Sequence, residues 1–149
     1  EGYLSDPPPD FHERVDAEGR RWMSIGDLGR LDRDGYLYLS GREARKVIVS
    51  GKNLYPEEVE QALLSYPAIA QAAVVGRPDA LRGERLVAVV IASGLLDKAD
   101  AISHLRTVLE DFKVPRSFFL AQDWPMTASG KTDIQAIQAG LDAGRYTAL

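Results

Sequence analysis

The chain has 149 residues, of which 45% are hydrophobic and 27% are charged, so it is long enough to bury one core and has the composition of a globular protein. Its 18 basic and 22 acidic residues leave a net charge of −4, which provides no basic field for nucleic acid, and no apolar run approaches the about 20 residues that span a bilayer. With no cysteine and two histidines, it has no disulfides or cysteine metal sites, and we expect no metal site and a cytoplasmic location.

The first third of the chain is predicted to begin with an irregular segment and to continue with β-strands. Residues 1 to about 19 are rich in proline, charge and turn formers, which favours an extended, exposed connection. Short strands are predicted at Trp22–Ile25 and Gly29–Asp32, and Asp34-Gly35 predicts a tight hairpin because glycine readily adopts positive φ. The charged residues 43–46 then suggest an exposed connection between two structural units.

The rest of the chain, from Val47 onward, is predicted to follow the order β, α, β, β, α, β, α. Apolar residues recur at strand or helix spacing, and Pro, Gly or charged residues interrupt them. We therefore predict an α+β domain with a small three-stranded sheet, flanking helices and a β-hairpin. Its elements are a strand at 47–49 with a short partner at 54–55, a helix opened by Pro56, strands at 69–75 and 86–92, a helix at 97–112, a strand at 117–121 and a helix at 133–139 capped by Gly140.

Two residues of the β segment are suited to holding a nucleotide. Asp27 lies in the sequence GDLGRLDRDGYLYLSGR, residues 26–42, and its carboxylate can accept two hydrogen bonds at once, which suits a vicinal diol. A turn-stabilising aspartate is the commoner explanation of such a residue. Arg42 could donate to a ribose or phosphate oxygen, or could be a solvated surface arginine.

Two further loops carry candidate residues. Gly51 and Lys52 lie in VIVSGKNLYPEEVE, residues 47–60, where the glycine predicts a tight turn and could also let the backbone approach a ligand. Lys131 ends PMTASGK; the spacing of a Walker phosphate loop is absent, and a solvated surface lysine is the alternative. The acidic residues after Pro56 are assigned to a helix N-terminus and, for Glu60, to a solvated face.

Three segments, residues 26–42, 47–60 and 125–131, occur in this order along the chain. Together they resemble the C-terminal end of AMP-forming adenylating enzymes. The superfamily includes acyl-CoA synthetases, nonribosomal-peptide adenylation domains and luciferases. The resemblance implies that Asp27 binds ribose, that Arg42 contacts the nucleotide and that Lys131 is the catalytic lysine of adenylation. It also implies that the Gly51 loop lines a tunnel for the acceptor thiol, with Lys52 as a weaker candidate in the same loop.

The resemblance also implies a domain organisation. Residues 1–42 would be the last β segment of an incomplete N-terminal adenylating domain, and residues 43–149 would be a mobile C-terminal domain. A hinge would lie near residues 42–45, at Ala44. The chain would then be a piece of a longer protein, called the parent enzyme below, and would not be active alone.

The implied reaction has two steps. The parent enzyme would join a carboxylate to ATP, giving an acyl-adenylate and pyrophosphate, and a thiol would then displace AMP to give a thioester. ATP, Mg²⁺ and CoA would serve the parent, with none bound tightly to this chain, whose partners would be the missing N-terminal domain and CoA. Two alternatives stay open: loading of a carrier-protein phosphopantetheine, and a noncatalytic interaction module.

Overall fold

A computed structural model describes residues 12–149. The chain forms two compact units, and the boundary between them lies between Lys46 and Val47. The sequence analysis predicts an extended start of the chain, and residues 1–11 of that segment lie outside the described residues. The sequence analysis places the domain boundary after Arg42, whereas the compact units part four residues later, after Lys46. The assignment of the two units to two enzyme domains stays a prediction.

The first unit consists of two antiparallel hairpins. The predicted turn at Asp34-Gly35 is present: the Asp32 carboxylate accepts the amide protons of Asp34 and Tyr36 at 3.0 and 2.9 Å. The hydrogen bond from the Tyr36 amide is the main cause that holds the pKa of Asp32 below its usual value. The strands of this unit are β1 His12–Val15 with β2 Arg21–Ser24, and β3 Asp27–Leu31 with β4 Leu37–Arg42.

The second unit is a mixed α+β domain, as predicted. Its six strands form one sheet, and three α-helices pack on it. None of the helices described in residues 12–149 is long and apolar enough to cross a membrane. The elements are β5 Val47–Val49, β6 Lys52–Leu54, α1 Pro56–Leu64, β7 Ile69–Asp79, β8 Gly83–Ala92, α2 Lys98–Val108, β9 Ser117–Leu120, α3 Ile134–Asp142 and β10 Thr147–Ala148.

The central strand of the sheet is β8. It pairs antiparallel with β7 along nearly its whole length, parallel with β9, and antiparallel with β5 where Val49 lies opposite Gly83. The three predicted core strands are therefore β7, β8 and β9. The hairpin of β5 and β6 and the short terminal strand β10, which the sequence analysis did not predict, extend the same sheet.

Both faces of β8 are buried because its side chains alternate between two hydrophobic clusters. Leu86, Ala88 and Val90 belong to the cluster that contains α1 and α2, whereas Val87 and Val89 belong to the cluster that contains α3. Each fully buried aliphatic side chain contributes about 1.5–3 kcal/mol relative to an exposed one. The sheet is thus fixed between two helical layers, and its loops carry the candidate residues.

The predicted ends of β7 and α2 are wrong. Strand β7 continues through Arg77-Pro78 to Asp79, beyond the predicted end at residue 75, because Asp79 itself closes the turn by accepting the amide protons of Leu81 and Arg82. Helix α2 ends at Val108 instead of continuing to residue 112, since the chain becomes extended at the next residue and then forms a separate 3₁₀ turn, Asp111–Lys113.

Glu60 is not simply on a solvated face. Its carboxylate accepts the backbone amide proton of Val74 at 2.8 Å, so this helix residue contacts strand β7. The sequence pattern of α1 shows which side of the helix is polar, but it does not show that a neighbouring strand presents an amide there.

Gly140 lies inside helix α3, not at its cap. The helix continues to Asp142, and a Cβ atom on Gly140 would lie 2.6–2.7 Å from the ring and hydroxyl of Tyr146. Such distances are too short for real contacts, and the Tyr146 ring is buried. The glycine therefore permits close approach of a tyrosine to the helix backbone.

We predict that Gly140→Ala lowers the free energy of unfolding by about 1–2 kcal/mol, because crowding against Tyr146 outweighs the better helix propensity of alanine. Urea unfolding of the chain measures the change. Gly94→Ala is the matched control: a Cβ there meets nothing within 4 Å, so stability should stay unchanged or rise by at most about 1 kcal/mol. A Gly140→Ala variant as stable as the unmodified chain would contradict this account.

Candidate functional site

Asp27 and Arg42 are brought together at one end of the second hairpin. They are direct partners in the register of β3 and β4, and Nε of Arg42 donates to Oδ1 of Asp27 at 3.0 Å. Both side chains are about half exposed, at 41% and 49% of their full area. The pair therefore offers a carboxylate and a guanidinium side by side, a combination that can bind hydroxyl and phosphate oxygens of one ligand.

Glycines adjoin both members of this pair. Gly26 is buried with φ 78°, and its carbonyl accepts the amide proton of Glu43 at 2.9 Å, just beyond β4. Gly41 has φ 149°, a conformation that L side chains rarely adopt, and the register of the two strands shifts between Leu28 and Gly29. Each of the two candidate side chains thus follows a glycine at positive φ, which explains the Gly-Asp and Gly-Arg pairs of the sequence.

Ala44 lies in a short 3₁₀ turn, Glu43–Arg45, between two extended residues. Arg42 before the turn has φ −114° and ψ 137°, and Lys46 after it has φ −56° and ψ 129°. The turn is closed by the Lys46 amide donating to the Glu43 carbonyl at 3.1 Å, and Ala44 is exposed. A short exposed turn can change its backbone angles at low cost, so this geometry supports the hinge, which stays a prediction.

Gly51 forms the two-residue turn between β5 and β6. Ser50 has φ 51° and Gly51 has φ 76°, so both central residues are in the left-handed region, as tight hairpins require. The Ser50 amide donates to the Arg82 carbonyl at 2.9 Å, which fixes the turn beside the β7–β8 connection. A Cβ on Gly51 would meet nothing within 4 Å, so backbone conformation and not crowding requires glycine there. The outer side of the turn is open to a ligand.

Lys52 contacts an aromatic residue that sequence reasoning missed. Its ammonium nitrogen lies 4.4 Å from the centre of the Phe112 ring, within the range of a cation–π contact. The ammonium of Lys113 lies 5.7 Å from the same ring and makes ion pairs with Glu58 at 2.8 Å and Glu110 at 3.4 Å. The hydrogen bond to Glu58 is the main cause that raises the pKa of Lys113.

The loop before α3 presents Lys131. The Thr127 amide donates to the Lys131 carbonyl at 2.7 Å, the Lys131 amide donates to Oγ1 of Thr127 at 3.2 Å, and the Gly130 amide donates to the Thr127 carbonyl at 2.9 Å. The backbone around the lysine is therefore well bonded. Its side chain is exposed, and its ammonium has no hydrogen-bond or ion-pair partner within residues 12–149. An unpaired ammonium on an ordered loop is available to an anionic ligand.

The structure pairs the two predicted nucleotide-binding residues, and it places the Gly51 turn and the Lys131 loop on separate connections of the second unit. Among the described residues, no three His, Asp or Glu side chains form a group that could hold a metal ion. The candidate residues offer a carboxylate that can accept hydrogen bonds, a guanidinium that can donate them and the exposed ammonium of Lys131.

Residues 58–131 match the AMP-binding enzyme C-terminal domain. The chain belongs to the superfamily of adenylate-forming AMP-binding enzymes, as the sequence motifs indicated.

Curated relatives and solved structures agree with this assignment. The chain is 36% identical over 141 residues to an uncharacterized acyl-CoA ligase, YhfT, of Bacillus subtilis, covering 95% of this chain and 27% of that protein. It is 40% identical over 130 residues to a 2-succinylbenzoate–CoA ligase of Enterococcus faecalis, covering 87% and 26%. The chain thus spans about a quarter of the length of these relatives.

Two solved structures show the same fold. ATP-bound MatB of Rhodopseudomonas palustris has a TM-score of 0.73 at 30% identity, covering 87% of this chain and 26% of that one. The amide bond synthetase McbA of Marinactinospora thermotolerans has a TM-score of 0.74 at 34% identity, covering 84% and 26%. The fold is therefore shared with an ATP-bound protein and with an amide bond synthetase.

The ion pair of Lys113 gives a pH-dependent prediction. Because its pKa is raised in the folded state, its contribution is complete below the unfolded pKa of about 10.4 and is lost as pH rises through the folded pKa. We expect Lys113→Met to lower the free energy of unfolding by about 0.5–1.5 kcal/mol at pH 8. This deficit should shrink as pH rises from about 10.4, where the unfolded chain begins to lose its proton, through the raised pKa of the folded chain.

Lys113→Arg is the matched control. Arginine stays charged throughout this range, so the variant should keep its stability on the alkaline side better than the unmodified chain. Urea unfolding at several pH values measures all three proteins. A Lys113→Met deficit that does not shrink as pH rises above about 10.4 would show that the Glu58 contact contributes nothing through charge.

Proposed function

We propose that this chain supplies the mobile C-terminal domain of an ATP-dependent carboxylic acid:CoA ligase. The observation that carries the proposal is the Lys131 ammonium, exposed and unpaired within residues 12–149 on a loop closed by its own backbone hydrogen bonds. The family of the chain and the names of its relatives, which are CoA ligases, support the same reaction. The chain spans only a quarter of those relatives, so the activity is proposed for the parent enzyme.

The first half-reaction needs a positive charge. A carboxylate attacks the α-phosphate of ATP, and negative charge accumulates on the reacting oxygens as pyrophosphate leaves. An ammonium placed there in a site that excludes water stabilises the transition state more than the separated reactants. Lys131 is the residue of this chain that we assign to that role, because its side chain carries no carboxylate partner that would neutralise it within the described part of the chain.

The nucleotide would be held by Asp27 and Arg42. The carboxylate accepts from the two ribose hydroxyls, and the guanidinium donates to a ribose or phosphate oxygen. Their 3.0 Å contact keeps both groups oriented before the ligand arrives. ATP, with Mg²⁺ on its phosphates, is the substrate in this proposal; among residues 12–149 no three His, Asp or Glu side chains form a group that could hold the metal ion.

The second half-reaction needs a different surface. Once pyrophosphate has left, rotation about Ala44 would withdraw Lys131 and present the Gly51 turn to the acyl-adenylate, where the acceptor thiol displaces AMP. The open outer side of that turn and the side chain of Lys52, held on Phe112, fit the wall of a narrow thiol tunnel. One domain would thereby serve both half-reactions in turn.

We predict that Lys131→Ala in the parent enzyme slows adenylation by about 100-fold or more, since one preorganised charge contact in a transition state has an effect of that size. Thioester formation from supplied acyl-adenylate should be nearly unchanged. ATP–pyrophosphate exchange measures the first step, and release of AMP on addition of CoA measures the second.

Lys98→Ala is the matched control, because Lys98 is bonded to the Leu149 carbonyl and has no role in the proposed chemistry. The 149-residue chain assayed alone is a negative arm and should show no exchange. Equal loss in both half-reactions for Lys131→Ala, or exchange by the chain alone, would contradict the proposed division of labour.

The acceptor is the part of the proposal with a rival. Loading of a carrier-protein phosphopantetheine uses the same thiol chemistry, and the similarity to an amide bond synthetase, at 34% identity, makes an amine acceptor a second candidate. We favour CoA because both named curated relatives are CoA ligases. A noncatalytic interaction module would need no unpaired lysine.

We predict that the parent enzyme, given ATP and a panel of carboxylic acids, forms thioester with CoA in preference to carrier protein or a simple amine. Mass spectrometry of the three products, each at equal acceptor concentration, distinguishes them. Thioester on carrier protein alone, or amide alone, would replace CoA as the acceptor while leaving the adenylation step intact.

A further inference from the structure

The loop that carries Lys131 is attached to the core by one side-chain hydrogen bond. The indole Nε1 of Trp124 donates to Oγ1 of Thr132 at 3.0 Å, and both residues are half-buried. Thr132 directly follows the lysine in the chain. Trp124 packs against the cluster formed by α3 and one face of the sheet. The contact therefore joins the neighbour of the lysine to the hydrophobic core.

Backbone contacts make the same loop a small closed hairpin. Met126 and Thr132 form an antiparallel bridge, and the Asp133 amide donates to the Pro125 carbonyl at 3.0 Å. Asp133 also caps α3 by accepting the Ala136 amide proton at 2.9 Å. The two ends of the loop are thus held next to α3. The hydrogen bond between Trp124 and Thr132 connects the end of the loop that follows Lys131 to the core.

The indole of Trp124 can only donate a hydrogen bond, whereas the hydroxyl of Thr132 can accept one. An indole N–H is a donor only, so a half-buried tryptophan requires an acceptor, and the Thr132 hydroxyl supplies it. Removal of that acceptor without a change in shape leaves the indole N–H without its partner in the protein and removes the link between the loop and the core. The backbone contacts hold the loop closed, and this side-chain contact joins the residue after Lys131 to the hydrophobic core.

We propose that Trp124 and Thr132 are positioning residues for Lys131, which they hold ready for the adenylation step. The inference rests on the proposed function of the lysine. The lysine side chain is long and flexible, and a fixed backbone origin restricts where its ammonium can reach. Small displacements of a catalytic group reduce the rate strongly, because charge stabilisation in a transition state depends on placement.

The test uses three variants of the parent enzyme. Thr132→Val keeps the shape and removes the acceptor, Thr132→Ser keeps the acceptor, and Trp124→Phe removes the donor while retaining an aromatic ring. We expect Thr132→Val and Trp124→Phe to lower kcat for ATP–pyrophosphate exchange about three- to tenfold, with KM for ATP nearly unchanged, because one hydrogen bond is lost. Thr132→Ser should restore most of the rate.

Two further readouts separate positioning from loss of folding. Release of AMP from supplied acyl-adenylate on addition of CoA should stay at the unmodified rate in all three variants, since Lys131 is not used there. The indole N–H resonance of Trp124 in the 149-residue chain should shift in Thr132→Val and stay near its original position in Thr132→Ser.

The outcomes distinguish this inference from the proposed function. If Lys131→Ala abolishes adenylation but Thr132→Val leaves it unchanged, the positioning role is wrong and the function of the lysine stands. If Thr132→Val lowers both half-reactions equally, or Thr132→Ser fails to restore the rate, the contact is merely structural and the inference fails. If Lys131→Ala itself has no effect, the proposed function fails first.

Discussion

The burial of β8 on both faces is the constraint on which the second unit depends. Leu86, Ala88 and Val90 pack towards one pair of helices, and Val87 and Val89 pack towards α3. A strand with two apolar faces must lie inside a sheet that is covered on both sides, so it orders its neighbours and both helical layers at once. The Gly51 turn and the Lys131 loop are connections of this frame, and their positions follow from it.

Much of the fold could be predicted from local signals because those signals act within a few residues. The β-branched run at Val47, Pro56 at a helix start and the turn at Asp34-Gly35 each specify an element without distant contacts. The errors arise where a distant residue decides. Gly140 is inside a helix because the Tyr146 ring lies against it, and Pro78 remains in a strand because Asp79 closes the turn after it.

The candidate site shows the same division. Family motifs single out Asp27, Arg42 and Lys131 one by one, but no sequence spacing indicates that the first two form an ion pair, since that contact depends on the register of two strands. The residues that support the loops were missed for the same reason. Phe112 lies beneath Lys52 across a different connection, and it looks in the sequence like one more apolar residue of a helix stripe.

The contact between Glu60 and Val74 has a consequence for the sheet as a whole. Among the described strands, β7 pairs only with β8. One edge of this 11-residue strand is therefore unpaired and could bind a strand of another molecule. The carboxylate of Glu60 occupies one of those outward amides, and Pro78 further along the strand has no amide proton to offer. A helix side chain and a proline thus leave fewer amide protons on this unpaired edge for a strand of another copy to bind.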